Sequence, residues 1–175
     1  MMVIETDRLH LRQFSTDDAG FILRLVNEPS FIENINDKGV RTLDDARAYL
    51  QNGPLASYEK NGFGVWCVLL KETGQPIGMC GLIKRDALDD IDVGYALLPE
   101  FCSMGYAIES AAAVVSYAKT ALGLERIVAI VNPENKRSIR LLEKLGFRYE
   151  RMVRLSEDDR EIKLFATGLM DSNRS

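Results

Sequence analysis

The residues best placed to do chemistry fall in one stretch, Ile91 to Ala112, which reads IDVGYALLPEFCSMGYAIESAA. A short strand pattern turns at Leu98-Pro99-Glu100. It then passes a Gly-containing corner, Cys102-Ser103-Met104-Gly105-Tyr106-Ala107, and enters a long helix rich in small residues. At a helix N-terminus several backbone N–H groups have no intrahelical partner. With the helix dipole they form a site suited to an anion, phosphate above all. An ordinary strand–turn–helix corner gives the same pattern, so this stretch alone does not decide. No GxxxxGK[ST] or GxGxxG run is present, which weakens nucleoside-triphosphate and dinucleotide readings. The single histidine, His10, sits on an opening strand far along the chain from this corner and reads as structural. No Ser-His-Asp or Cys-His set can be assembled, and Cys102 has no evident base.

The whole chain narrows the class. Its 175 residues form one expected domain, 1–175, long enough to bury about two-thirds of the surface of the unfolded chain. Hydrophobic residues at 46% and charged residues at 27% are ordinary for a soluble protein. A net charge of −4 with no basic tail argues against nonspecific nucleic-acid binding. The 3 cysteines, Cys67, Cys80 and Cys102, lack CxxC spacing, so neither a disulfide framework nor a metal site is indicated. A reducing cytoplasm is the expected compartment. The opening MMVIETDR has no signal-peptide pattern, and no apolar run approaches membrane-spanning length.

The elements that must position the corner follow from periodicity. Val3 to Arg12 reads as a half-buried strand, with Leu9 and Leu11 on its apolar face. Ser15-Thr16-Asp17-Asp18 starts a helix that Asn27-Glu28-Pro29 stops, and Phe31 to Val40 is irregular. Thr42-Leu43-Asp44-Asp45 caps a helix from Leu43 to Gln51, which Asn52-Gly53-Pro54 interrupts. Val65–Leu70 and Pro76–Ile83 form a hairpin, and an acidic loop, Asp86 to Asp90, leads to a third strand, Ile91–Leu97. The corner and its helix, Gly105 to Leu122, come next. A buried strand Arg126–Val131 turns at Asn132-Pro133-Glu134-Asn135 into a helix, Ser138–Leu145, closed by Gly146. Phe147–Arg154 and Glu161–Leu169 are two last strands, and Asp171–Ser175 is a polar tail. Helices, then a meander, then strand–helix–strand imply a mixed α/β (α+β) sheet rather than a wound parallel one.

Three separated segments resemble one family. Glu5-Thr6-Asp7-Arg8-Leu9-His10-Leu11-Arg12 is similar to an "ETxRLxLR" opening strand. Asp92-Val93-Gly94-Tyr95, Pro99-Glu100 and Gly105-Tyr106-Ala107-Ile108-Glu109-Ser110-Ala111 resemble a central strand, pyrophosphate loop and following helix. Asn132-Pro133-Glu134-Asn135-Lys136-Arg137-Ser138 through Glu143-Lys144-Leu145-Gly146-Phe147 resembles "NxxNxxSxxxxEKxGF". In order and spacing these resemble the GNAT N-acetyltransferases, in the branch of the ribosomal-protein enzymes RimJ and RimL, over Val3 to Leu169. The implied fold is a mostly antiparallel mixed sheet of about six to seven strands, with a splayed central pair and about four flanking helices.

The resemblance implies acetyl-CoA as cosubstrate, no metal, and an amine acceptor that is a protein N-terminus or a small molecule. Membrane and nucleic acid are not expected partners, and family habit allows a homodimer. Cys102, Ser103, Met104, Gly105, Tyr106 and Ala107 would wrap the pyrophosphate through backbone N–H groups. The family form has a bulky residue or Gln/Arg, then Gly and Lys or Arg, before the retained Gly; Cys102, Ser103 and Met104 depart from it, leaving Lys136 or Arg137 to supply charge. Val93, Tyr95 and Leu97 would offer backbone bonds to the pantetheine arm, and Gly94 marks a bulge or a close approach. Asn132 and Asn135 match coenzyme-contacting positions; capping the next helix is their other reading.

For chemistry, Asp92 matches the family's acidic position and is the first candidate base, acting directly or through water. A solvated strand-edge carboxylate is the alternative. Asp86, Asp89, Asp90 and Asp92 either draw a cationic amine or form a solvated acidic loop. Ser138 matches the position that protonates the departing thiolate, or is a first-turn serine, and Glu157 falls near another acidic position. The expected reaction is direct attack of a primary amine on the thioester. The rival reading is a non-catalytic acyl-CoA sensor on the same fold.

Overall fold

The structure is a computed structural model that describes residues 1–168. The expected strand Glu161–Leu169 is seen to Gly168; Leu169 and the 171–175 tail lie outside the described residues. One sheet of 8 strands carries the fold. In chain order the strands are β1 (Met2–Glu5), β2 (Leu9–Arg12), β3 (Val65–Leu70), β4 (Pro76–Ile83), β5 (Asp92–Leu97), β6 (Arg126–Val131), β7 (Arg148–Val153) and β8 (Ile162–Gly168). Their order across the sheet is β1-β2-β3-β4-β5-β6-β8-β7. Among the described strands only β5 and β6 run parallel.

The opening segment forms two strands rather than one. Thr6 reverses the chain: its N–H reaches Leu9 O at 2.9 Å, and its Oγ1 accepts from Leu9 N at 3.0 Å. A threonine that satisfies both turn groups can replace the usual glycine, which is why alternation alone reads as one strand.

The helices are α1 (Ala19–Leu25), α2 (Pro29–Asn34), α3 (Leu43–Leu50), α4 (Ala56–Asn61), α5 (Tyr106–Thr120) and α6 (Lys136–Lys144). Ser15 and Thr42 each make a reciprocal capping box, with Asp18 and Asp45 respectively, before α1 and α3. Asn27-Glu28-Pro29 stops α1 as expected; Pro29 then starts α2, where its missing N–H costs nothing, so the stretch expected to be irregular from Phe31 is helical to Asn34. One expected break is corrected. Asn52-Gly53-Pro54 does not interrupt the helix, because a π-helical turn at Gln51–Leu55 absorbs Pro54 and carries α3 into α4.

The two faces of the sheet bury separate clusters. Val93 on β5 joins Val114 and Ala118 of α5 and Leu142 of α6 on one face. Ala96 on β5 packs with Ile22, Leu25, Ala46 and Leu50 of the α1–α3 layer on the other. Alternation along β5 therefore sends Val93, Tyr95 and Leu97 toward α5 and α6, and Asp92, Gly94 and Ala96 toward α1 and α3.

Candidate active site

The site begins where two parallel strands part. β5 and β6 pair at Asp92↔Val128 alone, with Val128 N–H reaching Ile91 O at 3.0 Å. Beyond it, toward Leu97 and Val131, the described residues show no β5–β6 pairing, and a V-shaped gap opens with Asp92 at its apex. On its other side β5 pairs with β4 without a break, from Ile83↔Asp92 to Gly78↔Leu97. Gly94 is thus no bulge toward β4. A Cβ there would meet only the tip of Ile83, at 3.1 Å. Leu98 N–H points to Ile77 O across β4, at 2.8 Å. Backbone groups alternate along a strand, so those of Val93, Tyr95 and Leu97 face the gap.

The mouth of the V is the corner before α5. Ser103 has φ 65° and Gly105 has φ 86°, so the chain turns twice through the left-handed region around Met104. The first helical bond of α5 runs from Glu109 N to Gly105 O at 3.1 Å. The N–H groups from Gly105 to Ile108 have no helical acceptor and gather at one end of a 15-residue helix. Cys102 Sγ lies 3.7 Å from Leu98 O, and the Met104 side chain is exposed.

The cation at this corner is Arg8, which sequence reasoning did not single out. Its Nη1 donates to Met104 O at 3.1 Å, its Nε donates to Glu109 Oε1 at 2.7 Å, and its guanidinium covers the Tyr106 ring at 4.3 Å. Glu109 Oε2 accepts from Thr6 Oγ1 at 2.6 Å and from Arg8 N at 3.0 Å. Burial works to raise the pKa of Glu109, but these bonds hold it below the usual range. A cation in an opening motif beside a loop lacking its own was the available signal. Lys136 and Arg137 are exposed on the first turn of α6.

Across the mouth, Asn132 Oδ1 accepts from Glu134 N at 3.0 Å and Asn135 Oδ1 accepts from Ser138 N at 3.3 Å. Both asparagines therefore shape the β6–α6 turn, with Asn135 as N-cap. α6 starts at Lys136, ahead of the expected Ser138.

Asp92 is 1% exposed, which removes the solvated strand-edge reading. Burial pushes its carboxyl up to about 6 despite Arg85, whose Nε lies 3.2 Å and 3.4 Å from the two carboxylate oxygens. The rest of the acidic group does not join it. Asp86 and Asp89 are exposed, and Asp90 binds Arg126 at 2.9 Å. On the opposite face of β5, the Tyr95 hydroxyl meets Ser138 Oγ at 2.5 Å and links β5 to α6. Burial is the main cause that pushes the Tyr95 phenol up to about 12. Glu157 is exposed in the β7–β8 loop, and His10 lies on β2 beside Glu5.

β5 and β6 thus part beyond a buried carboxylate, and the N-terminus of α5 lies past the end of β5. Residues 8–148 match the acetyltransferase (GNAT) domain model, and the chain belongs to that family. It is 33% identical over 153 residues to the uncharacterized N-acetyltransferase YoaA of Bacillus subtilis, covering 87% of this chain and 86% of that one. The fold also matches an acetyltransferase from Agrobacterium tumefaciens, with TM-score 0.80, 23% identity and coverage of 95% and 94% of the two chains. It matches the ribosomal L7/L12 alpha-N-protein acetyltransferase RimL, solved in complex with coenzyme A, with TM-score 0.82, 15% identity and coverage of 96% and 98%. The protein is an acetyltransferase of this family. No described helix is long and apolar enough to cross a membrane.

Proposed function

We propose that this chain transfers the acetyl group of acetyl-CoA to a primary amine by direct attack on the thioester. The single observation that carries this reading is the confinement of β5–β6 pairing to Asp92↔Val128, which leaves a gap ending at a buried carboxylate.

The residues present fit the coenzyme. Unpartnered N–H groups at the start of α5, with Arg8 beside them, suit a pyrophosphate. Backbone groups of Tyr95 and Leu97 facing the gap suit the amides of a pantetheine arm. Bound acetyl-CoA supplies the activated carbonyl; the chain supplies position and protons. Asp92, with its pKa near 6, is mostly ionised at neutral pH and takes the proton of the attacking nitrogen, directly or through water. Ser138, hydrogen-bonded to Tyr95, gives a proton to the departing thiolate in this reading. An α-amine, with an ordinary pKa of about 7.7–8.0, is already partly neutral at pH 7, whereas a lysine near 10.4 is not, so an α-amine is the easier acceptor.

The test is thiol release from acetyl-CoA against a panel of primary amines. Turnover that falls by about a hundredfold or more in Asp92→Asn supports the reading. Tight acetyl-CoA binding with no turnover on any amine would instead leave a non-catalytic acyl-CoA sensor.

A further inference from the structure

Inside β4 and β5, Gly78, Gly81 and Gly94 all have φ outside the left-handed region, so no turn requires them. Packing explains the first two. A Cβ at Gly78 would lie 2.3 Å from Ala96 O, and one at Gly81 would lie 2.2 Å from Gly64 O, so both stay bare for the backbones to approach. Gly94 has no such reason. Its pairing with Gly81 is regular, and a Cβ there would meet only the flexible tip of Ile83. Glycine in a strand interior lowers stability. Where no turn, bulge or neighbouring backbone demands it, the remaining cause is the close approach of a ligand. Gly94 is half-buried, so the space it leaves is open to solvent.

That space adjoins Asp92. Alternation puts Gly94 on the α1–α3 face of β5, two residues beyond Asp92 along the open branch of the gap, and Ala96 is the next residue on that face. Past Asp92 this face of the strand therefore carries nothing larger than a methyl group. The opposite face is closed. Val93 is buried among Val114 and Leu142, and the Tyr95 hydroxyl meets Ser138 Oγ to link β5 with α6. We infer that the acceptor amine enters the gap from the α1–α3 face, through the space that a side chain at residue 94 would fill. Gly94 thereby sets how bulky a group the attacking nitrogen can carry. Asp92 is the neighbouring side chain on that face, in line with its proposed role as base. The inference rests on the proposed transfer from acetyl-CoA.

The experiment uses Gly94→Ala and Gly94→Val, with Gly81→Ala as the structural control. Gly94→Ala is expected to keep or raise the wild-type Tm, since alanine costs less than glycine in a strand, whereas Gly81→Ala lowers it by overpacking. A fall in Gly94→Ala comparable to that of the control would make this glycine structural and overturn the inference. Binding, which needs no turnover, separates the acceptor path from the coenzyme seat. Calorimetry compares CoA with CoA alkylated on sulfur as CoA–S–CH2–CO–NH–propyl, which joins coenzyme and amine in one ligand. In Gly94→Val, CoA should bind within about threefold of wild type, while the alkylated ligand should weaken by about tenfold or more. Equal losses for both ligands would assign Gly94 to the coenzyme seat, and unchanged binding of both would send the acceptor by another path. Either result overturns the inference and leaves acetyl transfer standing. Failure of the wild-type protein to bind CoA would strike the transfer reading, and the inference with it. In turnover, Gly94→Ala should lower kcat/KM for isopropylamine about tenfold more than for propylamine, and an equal effect on the two amines would overturn the selective role of Gly94.

Discussion

Tyr95 and Ser138, 43 residues apart in the chain, meet hydroxyl to hydroxyl at 2.5 Å and tie β5 to α6 across the strands that part below them. In Tyr95→Phe, kcat is expected to fall about tenfold, with acetyl-CoA affinity nearly unchanged, because the Tyr95 backbone and not its phenol faces the gap. Ser138→Ala is expected to fall further, and the double variant no further than Ser138→Ala, as for residues acting as a unit. Steady-state kinetics alongside calorimetry with acetyl-CoA makes the comparison. Additive losses would separate the two hydroxyls.

Asp92 sets a pH dependence. In its proposed role as base Asp92 acts when ionised, so kcat/KM should rise with pH through about 6, before the acceptor amine imposes its own limb. Removing the neighbouring cation in Arg85→Gln leaves burial unopposed, so that limb should move to higher pH. In Asp92→Asn the limb should vanish. Stability follows the opposite sign. A folded pKa raised above the unfolded value makes the native state bind more protons between the two, so the Asp92 contribution declines as pH rises through about 6. The Tm of Asp92→Asn relative to wild type should therefore improve from pH 5 to pH 7.

The corner before α5 depends on backbone shape and on Arg8. Gly105→Ala places a side chain at φ 86°, 3.1 Å from Arg8 Nη2. The conformational cost alone is about 1–2 kcal/mol. Acetyl-CoA affinity should weaken about tenfold in Gly105→Ala. Glu109→Gln should weaken it by less, since it only loosens the grip on Arg8. Isothermal titration measures both, and unchanged affinity in Gly105→Ala would remove the corner from the coenzyme site.

Away from the site, Asp18 accepts two bonds from Arg12 at 2.9 Å each and one from Ser15 N at 2.9 Å. Burial alone would raise its pKa, yet Arg12 and the Ser15 cap bring it below the ordinary value. A depressed carboxylate stabilises above its unfolded pKa and loses that contribution as pH falls through the folded one. Asp18→Asn should cost about 2–4 kcal/mol at pH 7 and less once the pH is low enough to protonate the folded carboxylate. Chemical denaturation at the two pH values reads the difference.

Local pattern was enough for much of this molecule. The capping boxes at Ser15 and Thr42, the β3–β4 hairpin, the Gly105 corner and the α6 turn are set by residues within a few positions of one another. Three-residue turns and proline were less legible. Thr6 reverses the chain without glycine, and Pro54 sits inside a continuous helix because a π turn takes up the missing donor. The family segments also brought Asp92, Tyr95 and Ser138 into view by position alone. Only the tertiary structure decided what those residues meet. Asp92 titrates near 6 because the folded layers exclude water from it and set Arg85 at its side, whereas its sequence neighbours Asp86 and Asp89 remain in solvent. Arg8 reaches a loop 96 residues away through a contact that no local spacing encodes. Hydrogen bonding within a turn is written in neighbouring residue types; desolvation and the pairing of distant charges exist only once the chain has closed around them.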